Sequence, residues 1–274
     1  MRTSSNPVFR NLPTTQGGYA SFGSGTAQAG QAATQGYGQP YGQPQSYATG
    51  RSMTVDDVVT KTATTLGVLV VAAVISYVLG SNNPGLVVPL ALGGALIGFA
   101  LVMVATFGRK MNKGIVLAYA AFEGLFVGAI SLVYAQLTSG PNIIIQAVIG
   151  TVGVFAGMLV VYKTGAIRVT PRLTRMVIGA TIGVIVLMLV NLLASFFISG
   201  GLGLRDGGPL AIGFSLLVIA LAAFNFLLDF DQADKMIRAG APEQAAWAVA
   251  LGLTVTLVWL YIEILRLLSY FNRN

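Results

Sequence analysis

Seven apolar segments follow one another between Thr62 and Leu268, and each is close to the length a lipid bilayer demands. They cover Thr62–Leu79, Gly85–Phe107, Ile115–Ala135, Ile143–Tyr162, Met176–Ile198, Leu210–Leu228 and Ala245–Leu268. A membrane helix needs about 20 apolar residues to cross the hydrocarbon core. The series therefore predicts an all-α integral membrane domain with seven transmembrane helices. Turn-forming clusters separate the segments: Ser81-Asn82-Asn83-Pro84-Gly85, Ser139-Gly140-Pro141-Asn142 and Gly200-Gly201-Leu202-Gly203. Thr54-Val55-Asp56-Asp57 reads as a helix start, with a capping threonine and acids in the first turn. Gly179/Gly183 and Gly93/Gly94/Gly98 recur at helical spacing, where small residues let backbones approach closely.

Charge supports the same reading. Only 9% of the residues are charged, against about 25% in soluble domains. The net charge of +7 does not point to nucleic acid, because the bases fall in clusters between apolar runs. Arg109, Lys110 and Lys113 follow the second segment. Lys163, Arg168, Arg172 and Arg175 follow the fourth, and Lys235 and Arg238 the sixth. The alternate breaks hold only Arg205. Lysine and arginine gather on the cytoplasmic side of membrane proteins. The expected topology in a cell membrane thus has the N-terminus in the cytoplasm and the C-terminus outside.

Absences narrow the chemistry. The chain has no cysteine and no histidine. Disulfides, thiolate chemistry and the commonest general base and transition-metal ligands are excluded. No enzymatic activity and no resident cofactor are expected. Residues 1–52 differ from the rest, being rich in Gly, Gln, Ser, Thr, Ala and Tyr, with a degenerate GYGQP repeat at Gln35–Tyr47. Such a segment buries too little apolar surface to offset its ordering entropy. It reads as a disordered cytoplasmic tail without the apolar core of a secretory signal. Either a spacer or a partner-binding arm fits. Residues 53–274 form the membrane domain.

The acids within or beside the spans are Glu123, Asp229, Asp231 and Glu263. Carboxylates in a bilayer are costly and mark functional candidates. Asp229 and Asp231, in the stretch Leu227–Gln232, stand at the cytoplasmic end of the sixth segment, with Asn225 one turn before Asp229. One reading is a proton- or cation-sensing site of oxygen ligands suited to Ca²⁺. The other is a solvated helix end. Glu123 lies about 12 Å into the third span, where it is costly unless neutral or partnered. Glu263 and Arg266 share a helix face, as a gating ion pair or as a structural pair near the outer surface. Gly201-Leu202-Gly203 is followed by Leu204, so the GxGD signature of intramembrane aspartyl proteases is not met.

These residues resemble those of the transmembrane Bax-inhibitor-motif family, the relatives of Bax inhibitor-1. The resemblance rests on the seven spans, on Leu228-Asp229-Phe230-Asp231-Gln232, and on the final span from Ala250-Leu251-Gly252-Leu253 to Ile264-Leu265-Arg266-Leu267-Leu268. The start, Arg2–Phe9, looks like an actinobacterial-type branch. The family implies six helices around a central C-terminal one. It implies a pH-sensitive Ca²⁺ leak controlled by two aspartates on the last two spans, in a bacterial inner membrane. It also implies a second role, binding and restraining a membrane protease or another membrane protein in stress responses. The tail and a loop at Asp231–Gln244 would then be the contact surfaces. Asp229 or Asp231 matches the first aspartate. Thr256 stands where the second is expected. Glu263 is too far along its span to touch Asp229. Glu123, at a depth closer to that of Asp229, is the candidate replacement, sharing a proton with it across the cytoplasmic mouth.

Overall fold

A computed structural model describes residues 51–108, 112–138, 140–198 and 201–272. The tail expected at 1–52 therefore lies outside the described residues except for Arg51 and Ser52, as do Arg109 and Lys110. Seven long helices are present among the described residues: α1 (Val55–Asn82), α2 (Val87–Phe107), α3 (Lys113–Leu137), α4 (Asn142–Thr164), α5 (Pro171–Ser195), α6 (Pro209–Arg238) and α7 (Ala246–Phe271). All seven are long and apolar enough to cross a membrane. They alternate in direction, so the bundle has a near end, where α1 begins, and a far end, where α7 finishes.

The ends follow from local chemistry. The Thr54 side chain and Asp57 form a reciprocal capping box at the start of α1. Asn112 caps α3 and Thr170 caps α5, each accepting from a first-turn amide. Pro171 and Pro209 open α5 and α6, where their missing amide hydrogens cost nothing. Gly165, at φ 69°, closes α4: its amide donates to Tyr162 and that of Ala166 to Val161.

Helix α6 departs from expectation. Its apolar segment stops at Leu228, yet the helix continues to Arg238. The extension is held by two ion pairs one turn apart, Lys235–Asp231 at 2.5 Å and Arg238–Asp234 at 2.9 Å. Asp229 thus lies about 14 Å inside the helix end, not at a helix terminus. The loop expected at Asp231–Gln244 shrinks to a short connection through Gly240 (φ 65°) and a 3₁₀ turn at Glu243–Ala245.

Helix α7 is the most buried element. α1, α3, α4 and α6 pack on it directly, while α2 lies on α3 and α5 on α6. The helices around the central one are therefore not equivalent. α2 and α5 reach α7 through side chains, with Trp247 and Leu251 meeting the α2 cluster and Trp259 the α5 cluster. Among the described residues, the closest glycine approaches between helices join α1, α2 and α3. A side chain at Gly124 or Gly128 would fall on the Leu69 or Ala73 carbonyl of α1, and one at Gly94 on the α3 backbone. Beside them the Ser76 hydroxyl donates to the Leu125 carbonyl at 2.6 Å. Gly179, Gly183 and Gly93 face open space, so the expected close packing does not occur there.

At the near end, the strand-like segment Arg51–Met53 lies antiparallel against the α6–α7 connection. Met53 N donates to Ala241 O at 2.7 Å and Glu243 N to Arg51 O at 3.0 Å. The Met53 side chain is buried in the main core with Phe230, Ala233, Ala246 and Val249. Lys61 bridges to Glu243 at 3.2 Å and stands over the Trp247 ring.

Candidate functional site: a carboxylate–hydroxyl contact between α6 and α7

Asp229 is half-buried on the α6 face that meets α7. It accepts a hydrogen bond from the Thr256 hydroxyl at 2.8 Å. The same Thr256 oxygen lies 3.1 Å from the Gly252 carbonyl of its own helix. Gly252 borders the carboxylate, and a Cβ there would stand in ordinary contact, 4.0 Å from Asp229 Oδ1. A hydroxyl has one hydrogen and two acceptor positions, so Thr256 satisfies Asp229 in either protonation state. Facing an ionised carboxylate, it donates, as in the present geometry. Facing a neutral acid, it accepts from the carboxyl and turns its own hydrogen to Gly252.

The expected companions of Asp229 point elsewhere. Asp231 is two residues away, on another side of the helix, and is taken by Lys235. The two aspartates therefore do not converge on one cation. Asn225 turns to α5, donating to Thr181 at 3.1 Å and to the Leu221 carbonyl at 2.9 Å. Glu123 does not pair with Asp229. Its carboxylate lies over α2, where a Cβ at Gly98 would stand 2.7 Å from Oε2. Depth alone suggested the pairing, but the face of α3 that carries Glu123 looks away from α6. Among the described residues no group of three or more carboxylates, histidines or cysteines could hold a metal ion.

The expected pair of Glu263 and Arg266 is formed, and it is buried at the far end of α7. Glu263 also accepts from Ser215 of α6 at 2.7 Å, and the Tyr134 phenol of α3 lies beside the Arg266 guanidinium. One turn inward, Ser131 and Tyr261 are hydrogen-bonded at 2.8 Å across α3 and α7. Ser131, Tyr134, Ser215 and Tyr261 were not singled out from sequence. Each serine is a polar group within a strongly apolar helix, and such a group in lipid needs a partner. That was the available signal.

A family model described as Bax inhibitor 1 like matches residues 6–273. A search of curated proteins found no match.

Proposed function

The chain belongs to the Bax inhibitor 1 like family of membrane proteins, and from that premise we propose that it is a pH-sensitive cation leak controlled at Asp229. The observation that carries this reading is the Asp229–Thr256 hydrogen bond between α6 and the central helix. A carboxylate within a membrane span is retained at a cost and marks ion or proton pathways. Here it touches the most buried helix, in a position where binding a proton or a cation alters the contact between two spans.

The chemistry is a competition. Ionised Asp229 offers an oxygen ligand to a hard cation such as Ca²⁺. Protonated Asp229 is neutral and hydrogen-bonds to Thr256. A pair of acids would repel on ionisation, but an acid and a hydroxyl do not. Control in this chain therefore rests on one proton, with no electrostatic spring forcing α6 and α7 apart. Flux falls as acidification fills Asp229. Ca²⁺ is cargo on this account, no resident cofactor is required, and no reaction is catalysed. Glu123 is a separate carboxylate between α2 and α3.

Lys113, Lys163, Arg168, Arg172, Arg175, Lys235 and Arg238 all belong to the near end, while Arg205 belongs to the far end. On the positive-inside rule the near end is cytoplasmic, in a cell membrane with the N-terminus inside. Asp229 then responds to protons entering from the cytoplasmic side.

Regulation of a membrane protease or stress-response protein is the second reading. One observation favours it: the segment leading out of residues 1–50 is clamped to the α6–α7 connection by Met53 and Arg51. Anything bound by the tail would pull on the helices that carry Asp229 and Thr256. Ca²⁺ flux by the full chain in liposomes, measured across pH, separates the two. Flux that declines with acidification supports the leak, and no flux at any pH supports regulation.

A further inference from the structure

We propose that the near end carries a binding site for the phosphate of an anionic phospholipid, set between the α4–α5 turn and the end of α6. A cavity of about 330 Å³ opens there, lined by Tyr162, Lys163, Arg168, Asp234 and Arg238. Three bases face one acid. Asp234 is engaged by Arg238 at 2.9 Å and by the Tyr162 hydroxyl at 3.4 Å. Lys163 and Arg168 are exposed and make no hydrogen bond or ion pair among the described residues. The site therefore has a net positive charge and two uncommitted cations.

The backbone that presents them is fixed. Gly165 and Ala166 close α4 through their bonds to Tyr162 and Val161, and Thr170 caps α5 by accepting from Leu173 at 3.2 Å. Only a short turn separates two spanning helices, so Lys163 and Arg168 stand at a membrane boundary.

The surroundings favour a lipid over a soluble anion. α4 packs on α6 and α7, and α5 leans on α6, but α4 and α5 do not pack along each other. On the membrane side of the cavity, Leu159 and Val160 of α4 and Met176 of α5 are exposed apolar side chains. A ligand there meets cations at its head and hydrocarbon surface below, which is the division within a phospholipid. Basic pockets between membrane helices bind anionic head groups in this way.

The test uses the full chain purified in detergent, with retained lipid counted by native mass spectrometry after offering equal phosphatidylglycerol and phosphatidylcholine. Phosphatidylglycerol should be retained preferentially. Lys163→Ala with Arg168→Ala should reduce that preference by roughly tenfold. Arg172→Ala with Arg175→Ala, which removes two bases from the same end outside the cavity, should leave it intact. The proposal is overturned if the wild type shows no preference, if the first double variant behaves as wild type, or if both double variants lose it equally. It is also overturned if inorganic phosphate displaces the lipid at equal concentration, because the site would then recognise a free anion.

Discussion

The Thr256 hydroxyl of α7 donates to the Asp229 carboxylate of α6 at 2.8 Å, in the place where the family resemblance implies a second acid. The contact links the most buried helix to a neighbour that continues about 14 Å past Asp229 toward the near end. A neutral partner satisfies the carboxylate without adding charge, whereas two ionised acids in this place would repel.

Replacing Thr256 by valine keeps the shape and removes the donor. Asp229 is then left without its bonded partner inside a membrane span. The expected cost is about 1–3 kcal/mol, read as a lower unfolding midpoint in detergent at neutral pH. The loss should shrink under acid conditions, where neutral Asp229 no longer needs a donor to its charge. An unchanged midpoint at both pH values would contradict the hydrogen bond's role.

Thr256→Asp converts the contact into a carboxylate pair. Two close acids titrate as a unit with a shared proton. The pH profile of Ca²⁺ flux should broaden from one step toward two separated steps, because the last shared proton is held to higher pH. A profile of unchanged slope would mean that position 256 does not communicate with Asp229.

The glycines divide into two classes. Gly124→Val or Gly128→Val places side-chain atoms against α1 carbonyls, and overpacking of this kind costs roughly 1–3 kcal/mol or more. Gly179→Ala and Gly183→Ala meet open space and should be neutral or mildly stabilising, since alanine favours a helix over glycine. Thermal unfolding of the four variants in one detergent checks the ordering.

Glu263→Gln breaks a buried ion pair and leaves Arg266 uncompensated. Removing one partner of such a pair costs about 3–5 kcal/mol. The variant should be clearly less stable, yet retain the wild-type pH profile in whatever fraction folds, because Glu263 faces Ser215 and Arg266, not Asp229. A shifted profile would give the far end a part in pH control.

The spans were legible because a bilayer imposes both length and apolarity, and all seven expected segments lie largely within helices. The capping box at Thr54–Asp57 was equally legible, being a local exchange of hydrogen bonds. The end of α6 was not, because hydropathy falls at Asp229 while helicity continues. The i,i+4 pairs Asp231–Lys235 and Asp234–Arg238 were the visible sign of that continuation. The partner of Asp229 depended on the relative register of α6 and α7, which no single segment encodes. Matching the final span to the family located Thr256 at that register but assigned it no contact. Glu123 shows the complementary failure. Its depth followed from the 1.5 Å rise per residue, but its direction was set by how α2 and α3 interlock at Gly94 and Gly98.

The central claim is that one proton on Asp229 controls cation passage. Its most direct test is Ca²⁺ flux across pH by liposome-reconstituted wild type and Asp229→Asn, with Glu123→Gln as a companion. Wild type and Glu123→Gln should lose flux together as pH falls, while Asp229→Asn, unable to bind or release that proton, should give low flux independent of pH. If Asp229→Asn follows the wild-type curve, the claim is contradicted.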